Sequence, residues 1–389
     1  MQSTTTTAPS VKLTGCEGFR LRILLSMLSG RPVKITDIRA MDESPGLRDY
    51  EASLLRLADK FSNGAKISIN ETGTILRFVP GELIGGEVTH DCPASRSVSY
   101  FLEFAAVLAP FCKQPLNFII RGNTHSNDDN SVDSFKSVTL VVLLRLIGSA
   151  FSTEQGAPEI KVERRGVGVD GSVKFFCPIV PKSVTPIDLT GDEGKVKRIR
   201  GVCWTSQVST QFSAGVIDAC RAVLNPCLSD VWIYTDAVKA PTAAGYGLSL
   251  VSETDKGVVK CSGAMRNDDE PRALGQDVAE ELLAEISKGG LVDSSHQWLV
   301  VLFMALSADY KVSKAMLGST LAPYTILCMQ AIRDFLGVKF KISSVIESEK
   351  LTIDGETEDD TPTTTMSKSE NIKLECIGAN LINGARRTF

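Results

Sequence analysis

Apolar and polar residues alternate along the chain with helical and strand spacings in a recurring order. Residues 18–30 place Leu24, Leu25 and Leu28 on one face of a predicted helix. The segment that follows alternates apolar and polar residues, as a half-buried strand does. Further strands and one more helix complete a first unit: a strand at 32–39, a helix at 49–61, and strands at 66–71 and 73–79. The order is helix, strand, helix, strand, strand.

The same order begins again twice. Helices are predicted at 97–109 and 131–148 with strands at 115–121 and 159–163, and later at 294–307 and 321–336 with strands at 338–342 and 372–377. Two helices laid on a small sheet, three times over, predict a pseudo-threefold α/β domain.

The stretch before the third unit has its own sequence of elements. Strands are predicted at 198–205, 230–235 and 247–253, and helices at 214–224 and 276–288. We therefore predict a smaller inserted α/β domain at 185–290, which divides the repeat domain into 13–184 and 291–389. The polar residues 1–12 are predicted to be a disordered leader, and the charged, Thr-rich residues 347–370 a flexible loop.

Composition narrows the class of protein. The 389 residues are 43% hydrophobic and 23% charged, with a formal net charge of −4, which is typical of a globular protein and argues against a generally basic nucleic-acid coat. None of the ten cysteines forms a CxxC pair, so we expect no metal site and predict cysteines buried in a reducing compartment. No apolar run reaches about 18 residues, so a soluble, intracellular protein is expected.

Several longer motifs follow one another along the chain. They are SGRPVKITDIR at 29–39, SPGLRDYEASLL at 44–55, FVPGELIGGEVTHDCPASRS at 78–97, ERRG at 163–166, IRGV at 199–202 and HQWLVVLFMAL at 296–306. In this order they resemble the RNA 3′-terminal phosphate cyclase family over about residues 13–343. The resemblance implies that family's fold: three repeats of a two-helix, four-stranded-sheet unit, with a smaller α/β domain inserted before the third repeat.

The resemblance also carries an expectation about activity. In the cyclases, a histidine of the third repeat takes up AMP and passes it to an RNA 3′-phosphate. This chain has three histidines, His90, His125 and His296, and residues 318–325, where the nucleophile should fall, offer only hydroxyl groups. The cyclases have a glycine-rich turn that ends in a glutamine, and in this chain the bulky Phe19 stands near that position. The chain is therefore closer to the RNA cyclase-like branch, and we expect no enzyme activity and no cofactor.

That branch implies a function and partners. Its members are nucleolar factors for pre-rRNA processing and small-subunit assembly, which bind a nucleolar GTPase within the small-subunit processome. We accordingly expect a nuclear and nucleolar protein that contacts pre-ribosomal particles, binds no membrane and is a monomer outside the complex. Two alternatives stay open: an RNA-processing enzyme (a pre-rRNA endonuclease or a residual cyclase) and a module that binds an RNA 3′-phosphate without converting it.

Candidate site residues follow from the resemblance and from local charge. Arg22 and Arg39 align with arginines that hold nucleotide or phosphate in cyclases, although pairing with Asp37 or Asp42 is an alternative. His125 lies in a polar loop, where a surface hydrogen-bonding role is the alternative to ligand binding. A basic run at 195–200 (KVKRIR) is a further place for phosphate contact or a solvated face. With no catalytic residue expected, the candidates for anion or RNA binding are Arg20, Arg22, Arg39, Arg121, His125, Arg164, Arg165 and Gln297.

Overall fold

The first repeat unit lies at the start of the described chain. A computed structural model describes residues 9–151, 156–181, 183–238, 243–347 and 369–382. The elements of this unit are β1 (Val11–Thr14), α1 (Phe19–Ser29), β2 (Val33–Thr36), α2 (Asp49–Phe61), β3 (Ser62–Asn63), β4 (Lys66–Ile69) and β5 (Leu76–Val79). Its sheet has the order β1-β2-β5-β4, with β1 parallel to β2 and the other pairs antiparallel.

The second unit repeats this arrangement. Its elements are β6 (Glu82–Leu83), β7 (Gly86–Asp91), α3 (Val98–Leu108), β8 (Leu116–Gly122), α4 (Val132–Ser134), α5 (Leu140–Ile147), β9 (Glu159–Arg164) and β10 (Gly171–Cys177), with a π-helical turn joining α4 to α5. The sheet order is β7-β8-β10-β9, again with the first pair parallel. Strand β6 pairs with β3 and so joins the first two units.

The inserted domain and the third unit follow. The elements are β11 (Asp188–Leu189), β12 (Val196–Ser206), α6 (Thr210–Leu224), β13 (Val231–Ala237), β14 (Gly245–Thr254), β15 (Val259–Arg266), α7 (Pro271–Ser287), α8 (Gln297–Leu306), β16 (Val312–Leu317), α9 (Pro323–Leu336), β17 (Lys341–Glu347) and β18 (Ser369–Ile377). The third sheet has the order β11-β16-β18-β17, and the insert has its own sheet, β13-β12-β14-β15. The predicted mixed α/β fold is confirmed.

Two hydrophobic cores hold these layers together. The larger core joins the three repeat units. Every residue of α8 (QWLVVLFMAL) is buried, and all of them except Gln297 belong to this core, which agrees with a helix that is apolar on nearly all sides. The smaller core belongs to the insert, where α6 and α7 cover one face of its sheet. Eight of the ten cysteines are buried, Cys16 is half-buried and Cys227 is exposed. Among the described helices, none is both long and apolar enough to cross a membrane.

Three sequence expectations differ from the structure. Val11 and Lys12, predicted within the leader, belong to β1, because Val11 pairs with Val33 and is buried on the core side. Strand β11 lies inside the range predicted for the insert but pairs with β16 of the third unit. Strands β3, β6, β7, β10, β15 and β16 were not predicted. Most of the predicted loop at 347–370 lies outside the described residues, and the domain limits stay a prediction.

Candidate functional site

A cleft of about 570 Å³ lies where the repeat units meet the inserted domain. Helices α1, α2 and α3 supply one wall, β15 and α7 of the insert supply another, and α8 and α9 complete the lining. Elements of all three repeats and of the insert therefore converge on one opening, as is usual for a ligand or partner site. Of the predicted site residues, Arg20 and Arg39 line it.

Arg20 is held in an aromatic cage at the base of the cleft. Its Nη2 lies 2.7 Å from Glu103 Oε2, its Nη1 donates to the Tyr100 carbonyl at 3.0 Å, and its Nε donates to the Tyr324 hydroxyl at 3.2 Å. The guanidinium also lies over the rings of Tyr100, Trp298 and Tyr324, at 4.7, 5.4 and 5.5 Å from their centroids. All three nitrogens of this cation are thus engaged by the protein itself.

Arg39 is bound in a similar way. The chain after β2 turns sharply, with Asp37 and Arg39 at positive φ, and this directs Arg39 toward the start of α2. There its two terminal nitrogens form a bidentate pair with Glu51, at 2.7 and 2.8 Å. Glu51 is nearly fully buried and also accepts the Arg48 amide at 2.8 Å. The expected alternative, pairing with a carboxylate, is what the structure shows, although the partner is not Asp37 or Asp42.

The cleft as a whole is acidic. A third arginine, Arg96, stacks on Tyr50 and Tyr100 and pairs with Asp129 at 2.9 Å. Three arginines and seven acidic residues line the opening in the part of the chain that the structure describes. Burial and the neighbouring carboxylate of Glu285 raise the pKa of Glu281 above its usual value. An added phosphate would have to compete with these carboxylates for the same guanidinium groups.

Four other predicted site residues lie away from this cleft. Arg22 donates to the backbone carbonyls of Thr14 and Gly15, and so fixes the turn before α1. Gln297 bridges the Thr320 carbonyl and the Ala322 amide, which ties α8 to the loop before α9. Arg121 forms an exposed pair with Asp91 at 3.2 Å, and Arg164 donates to the Asp170 carbonyl. The eight candidates therefore do not form one site.

His125 and Arg165 meet in a second, buried cluster. His125 Nε2 lies 3.1 Å from Asp133 Oδ2. Arg165 donates two hydrogen bonds to the same carboxylate, from Nη1 at 2.6 Å and from Nη2 at 3.0 Å. Arg165 Nε also reaches Asp236 of β13 at 2.9 Å, and the His125 ring lies 4.6 Å from that of Trp204. The expectation of a surface role for His125 was wrong, because its loop folds beneath the inserted domain and leaves the side chain 3% exposed.

Burial sets the electrostatics of this cluster. It lowers the pKa of His125 in spite of the hydrogen bond to Asp133, so the ring is neutral near pH 7. Burial alone would raise the pKa of Asp133, but the hydrogen bonds from His125 and Arg165 outweigh it and hold that pKa well below its usual range. The ion pairs of this cluster connect the second unit to the insert.

A third cluster lies in the wall of the cleft and was not found from the sequence. Cys261, Asp293 and His296 are all buried, and their possible ligand atoms lie within 4.8 Å of one another. Thiolate, carboxylate and imidazole are ligands that suit Zn²⁺. In the structure, however, Asp293 already accepts hydrogen bonds from the Cys261 and His296 amides, both at 3.0 Å, and lies 2.6 Å from His296 Nδ1. The three side chains thus link β15 to the start of α8, and Cys261 lies too far from Asp293 and His296 in sequence for the three to form a recognisable motif.

The His296–Asp293 pair predicts a pH dependence. Burial disfavours a charged His296, but Asp293 outweighs it and raises the pKa of the imidazole; the same contacts lower the pKa of Asp293 to about 2. A raised histidine pKa stabilises the fold below the unfolded value of about 6.5, and this contribution is lost as pH rises through the folded value. The gap in free energy of unfolding between native protein and His296→Gln should therefore narrow from pH 6 to pH 9 in urea titrations.

His90 provides a control of opposite sign. Burial lowers its pKa to about 4, so the native protein loses stability relative to His90→Gln as pH falls from 7 to 5. A gap for His296→Gln that widens as pH rises from 6 to about 7.5 would show that this imidazole is neutral in the folded protein, and a constant gap would show that folding does not shift its pKa.

The fold and these sites can now be compared with known proteins. Three sheets of one strand order with a fourth, inserted sheet define an α/β repeat protein with an inserted domain. The family model for RNA 3′-terminal phosphate cyclase matches residues 11–342, and the chain belongs to that family. The family assignment made from the sequence motifs is confirmed.

Curated relatives place the chain among the cyclase-like proteins. It is 43% identical over 357 residues to an RNA 3′-terminal phosphate cyclase-like protein of Homo sapiens, which covers 89% of this chain and 93% of the relative. It is 39% identical over 403 residues to a probable protein of the same kind from Dictyostelium discoideum, covering 97% and 100%. It is also 37% identical over 306 residues to the rRNA processing protein rcl1 of Schizosaccharomyces pombe, covering 76% and 81%.

Proposed function

We propose that this protein is a non-catalytic assembly factor for pre-rRNA processing and small ribosomal subunit biogenesis. The observation that carries the proposal is the absence of any histidine after His296 in the sequence, where an adenylyl-accepting histidine would fall. The name of the Schizosaccharomyces pombe relative, an rRNA processing protein, gives the pathway. A chain that keeps the family fold but lacks the nucleophile is better suited to binding partners than to catalysis.

The chemistry of the cleft supports a role without catalysis. Tyr324 lies in the stretch where the histidine would fall, and its hydroxyl accepts hydrogen bonds from Arg20. Burial raises the pKa of this phenol to about 12, so it is uncharged near pH 7 and a weak nucleophile. Of the arginines that line the cleft, Arg20 is paired with Glu103 and Arg39 with Glu51.

The partners and place of action belong to the same proposal. The protein binds a nucleolar GTPase of the small-subunit processome and, through it, the pre-ribosomal particle in the nucleus and nucleolus. Outside that complex it is a monomer. The ion pairs of Arg165 with Asp133 and Asp236 connect the second unit to the insert, so both can contribute to one contact surface.

The test of this proposal is co-sedimentation. Tagged protein expressed in cells should move with small-subunit precursor particles in a sucrose gradient, and depletion should lower the small-subunit rRNA relative to the large-subunit rRNA. Protein found only at the top of the gradient, with unchanged rRNA levels, would overturn the assignment.

A labelling assay tests the alternative that this protein is a residual cyclase. Purified protein with labelled ATP and a divalent metal is expected to give no covalent protein–AMP band on a denaturing gel. An authentic cyclase in the same buffer serves as the positive control. A labelled band from this chain would mean that another side chain replaces the histidine, and the enzyme alternative would then be correct.

A further inference from the structure

One face of the inserted sheet carries exposed aromatic side chains. Along β13, Val231 and Ile233 point into the insert's core, whereas Trp232 and Tyr234 are 55% and 58% exposed. Their ring centroids are 6.1 Å apart and the rings are tilted by 60°, so they do not stack on each other. Large exposed aromatic groups side by side are unusual on a solvated sheet face and mark a contact surface.

Flat guanidinium groups lie next to these rings. Arg200 of β12 is directly opposite Trp232 in the strand register, so both side chains lie on the same face of the sheet. Arg200 is held in a bidentate pair with Asp230 at 2.8 and 3.0 Å. Arg198 forms a similar pair with Glu253 on β14, at 2.9 and 2.8 Å. Each pair fixes a guanidinium plane in place.

The basic run at the start of β12 adds positive charge. Lys195 and Lys197 are exposed, and within the described ranges neither ammonium group is in an ion pair. The carboxylates of Asp230 and Glu253 are matched by Arg200 and Arg198. The exposed carboxylates of Asp192 and Asp255 lie at the same edge, and Asp255 accepts the Lys195 amide, but Lys195, Lys197 and Lys256 together exceed these two carboxylates by one positive charge. Charge complementarity therefore favours a polyanion.

We propose that this surface, which we call the aromatic platform (Trp232, Tyr234, Arg198 and Arg200), binds single-stranded RNA. Bases stack on the two rings and on the guanidinium planes, and phosphates contact the neighbouring lysines. A duplex hides its base faces in its own stack, so the ligand must be unpaired. The proposal deepens the proposed function, since pre-rRNA would supply the strand, and rests on it for the source of the RNA.

The tryptophans provide a direct readout. The chain has three, and Trp204 and Trp298 are buried, so changes in emission on adding ligand report mainly on Trp232. Titrating the full chain with a single-stranded 12-mer oligoribonucleotide should quench this emission. The same sequence annealed to its complement should quench it far less.

Substitutions on the platform test which side chains contribute to RNA binding. Trp232→Ala and Tyr234→Ala should each weaken binding of the oligoribonucleotide about 5- to 100-fold in a polarisation assay, as expected for loss of one stacked base. Lys195→Gln and Lys197→Gln should each reduce the slope of log affinity against log salt by about 0.7. Tyr310→Ala is the matched control, because this tyrosine is also exposed, at 73%, but lies in the third unit.

Other outcomes would overturn either this proposal or the proposed function, and the two can be told apart. Equal affinity of native protein and Trp232→Ala, or equal quenching by duplex, would exclude base stacking here. If Trp232→Ala binds RNA normally but no longer co-sediments with precursor particles, the platform is a protein interface and the proposed function stands. If native protein fails to co-sediment yet binds RNA through Trp232, the proposed function fails and the RNA site stands. Thermal melting would check that each variant is folded.

Discussion

Replacing Arg165 with alanine is expected to lower the free energy of unfolding by about 3–5 kcal/mol, because it leaves a buried carboxylate without its cation. Arg165 makes two hydrogen bonds to Asp133 and one to Asp236, with its side chain only 9% exposed. Asp133 would keep His125 as a partner, but burial lowers the pKa of that imidazole, so it is neutral near pH 7. Urea unfolding at pH 7 measures the loss.

Arg121 gives the control for this experiment. It also forms an arginine–aspartate pair in the second unit, with Asp91 at 3.2 Å, but both side chains are at least half exposed. Arg121→Ala should therefore change the free energy of unfolding by less than about 1 kcal/mol. Similar losses in the two variants would mean that burial does not strengthen the Arg165 cluster.

The same cluster shows why sequence patterns locate elements better than sites. Helix α2 is found at 49–61, where the spacing of Leu54, Leu55, Ala58 and Phe61 predicts it, because the period of a helix is a local property. The surface alternative for His125 rested on its polar neighbours in the sequence. The burial of this side chain depends on Trp204, which a different domain places over it, and no local pattern carries that information.

The unpredicted strands have a related cause. In β10 (GSVKFFC), Phe176 faces the solvent side and breaks the alternation of apolar and polar residues. In β16, the short run VSKAML becomes a strand through pairing with β11 and β18, which lie far from it in sequence. Strand pairing at long range is decided by tertiary structure rather than by the residues of one segment.

The resemblance predicted some residues of the cleft but not their partners. Arg20 and Arg39 were among the candidate site residues, and both do line one opening. Their partners Glu103 and Glu51 come from other helices, so the sequence alone could not show that each cation is already neutralised. Likewise, nothing in the spacing of Cys261, Asp293 and His296 indicates that they meet.

The Arg20–Glu103 ion pair in the cleft is expected to make a similarly large contribution to stability. Arg20→Met is expected to lower the free energy of unfolding by about 3–5 kcal/mol, since Glu103 would be left buried without its cation. Replacing both residues, as Arg20→Met with Glu103→Leu, removes the uncompensated charge and should recover most of the loss, because a buried ion pair can often be exchanged for apolar groups of similar volume. Both variants are compared with native protein by urea unfolding at pH 7.

This comparison separates two roles of Arg20. A cation kept for an anionic ligand has no full partner in the free protein, so its removal would leave stability unchanged or raise it. In that case inorganic phosphate would raise the melting temperature of native protein but not that of Arg20→Met, because a ligand stabilises only the folded state that binds it. A cation kept for Glu103 gives the opposite result: a large loss in the single variant, recovery in the double variant, and no phosphate-dependent shift. The cage around Arg20, with every nitrogen already engaged, predicts the second result.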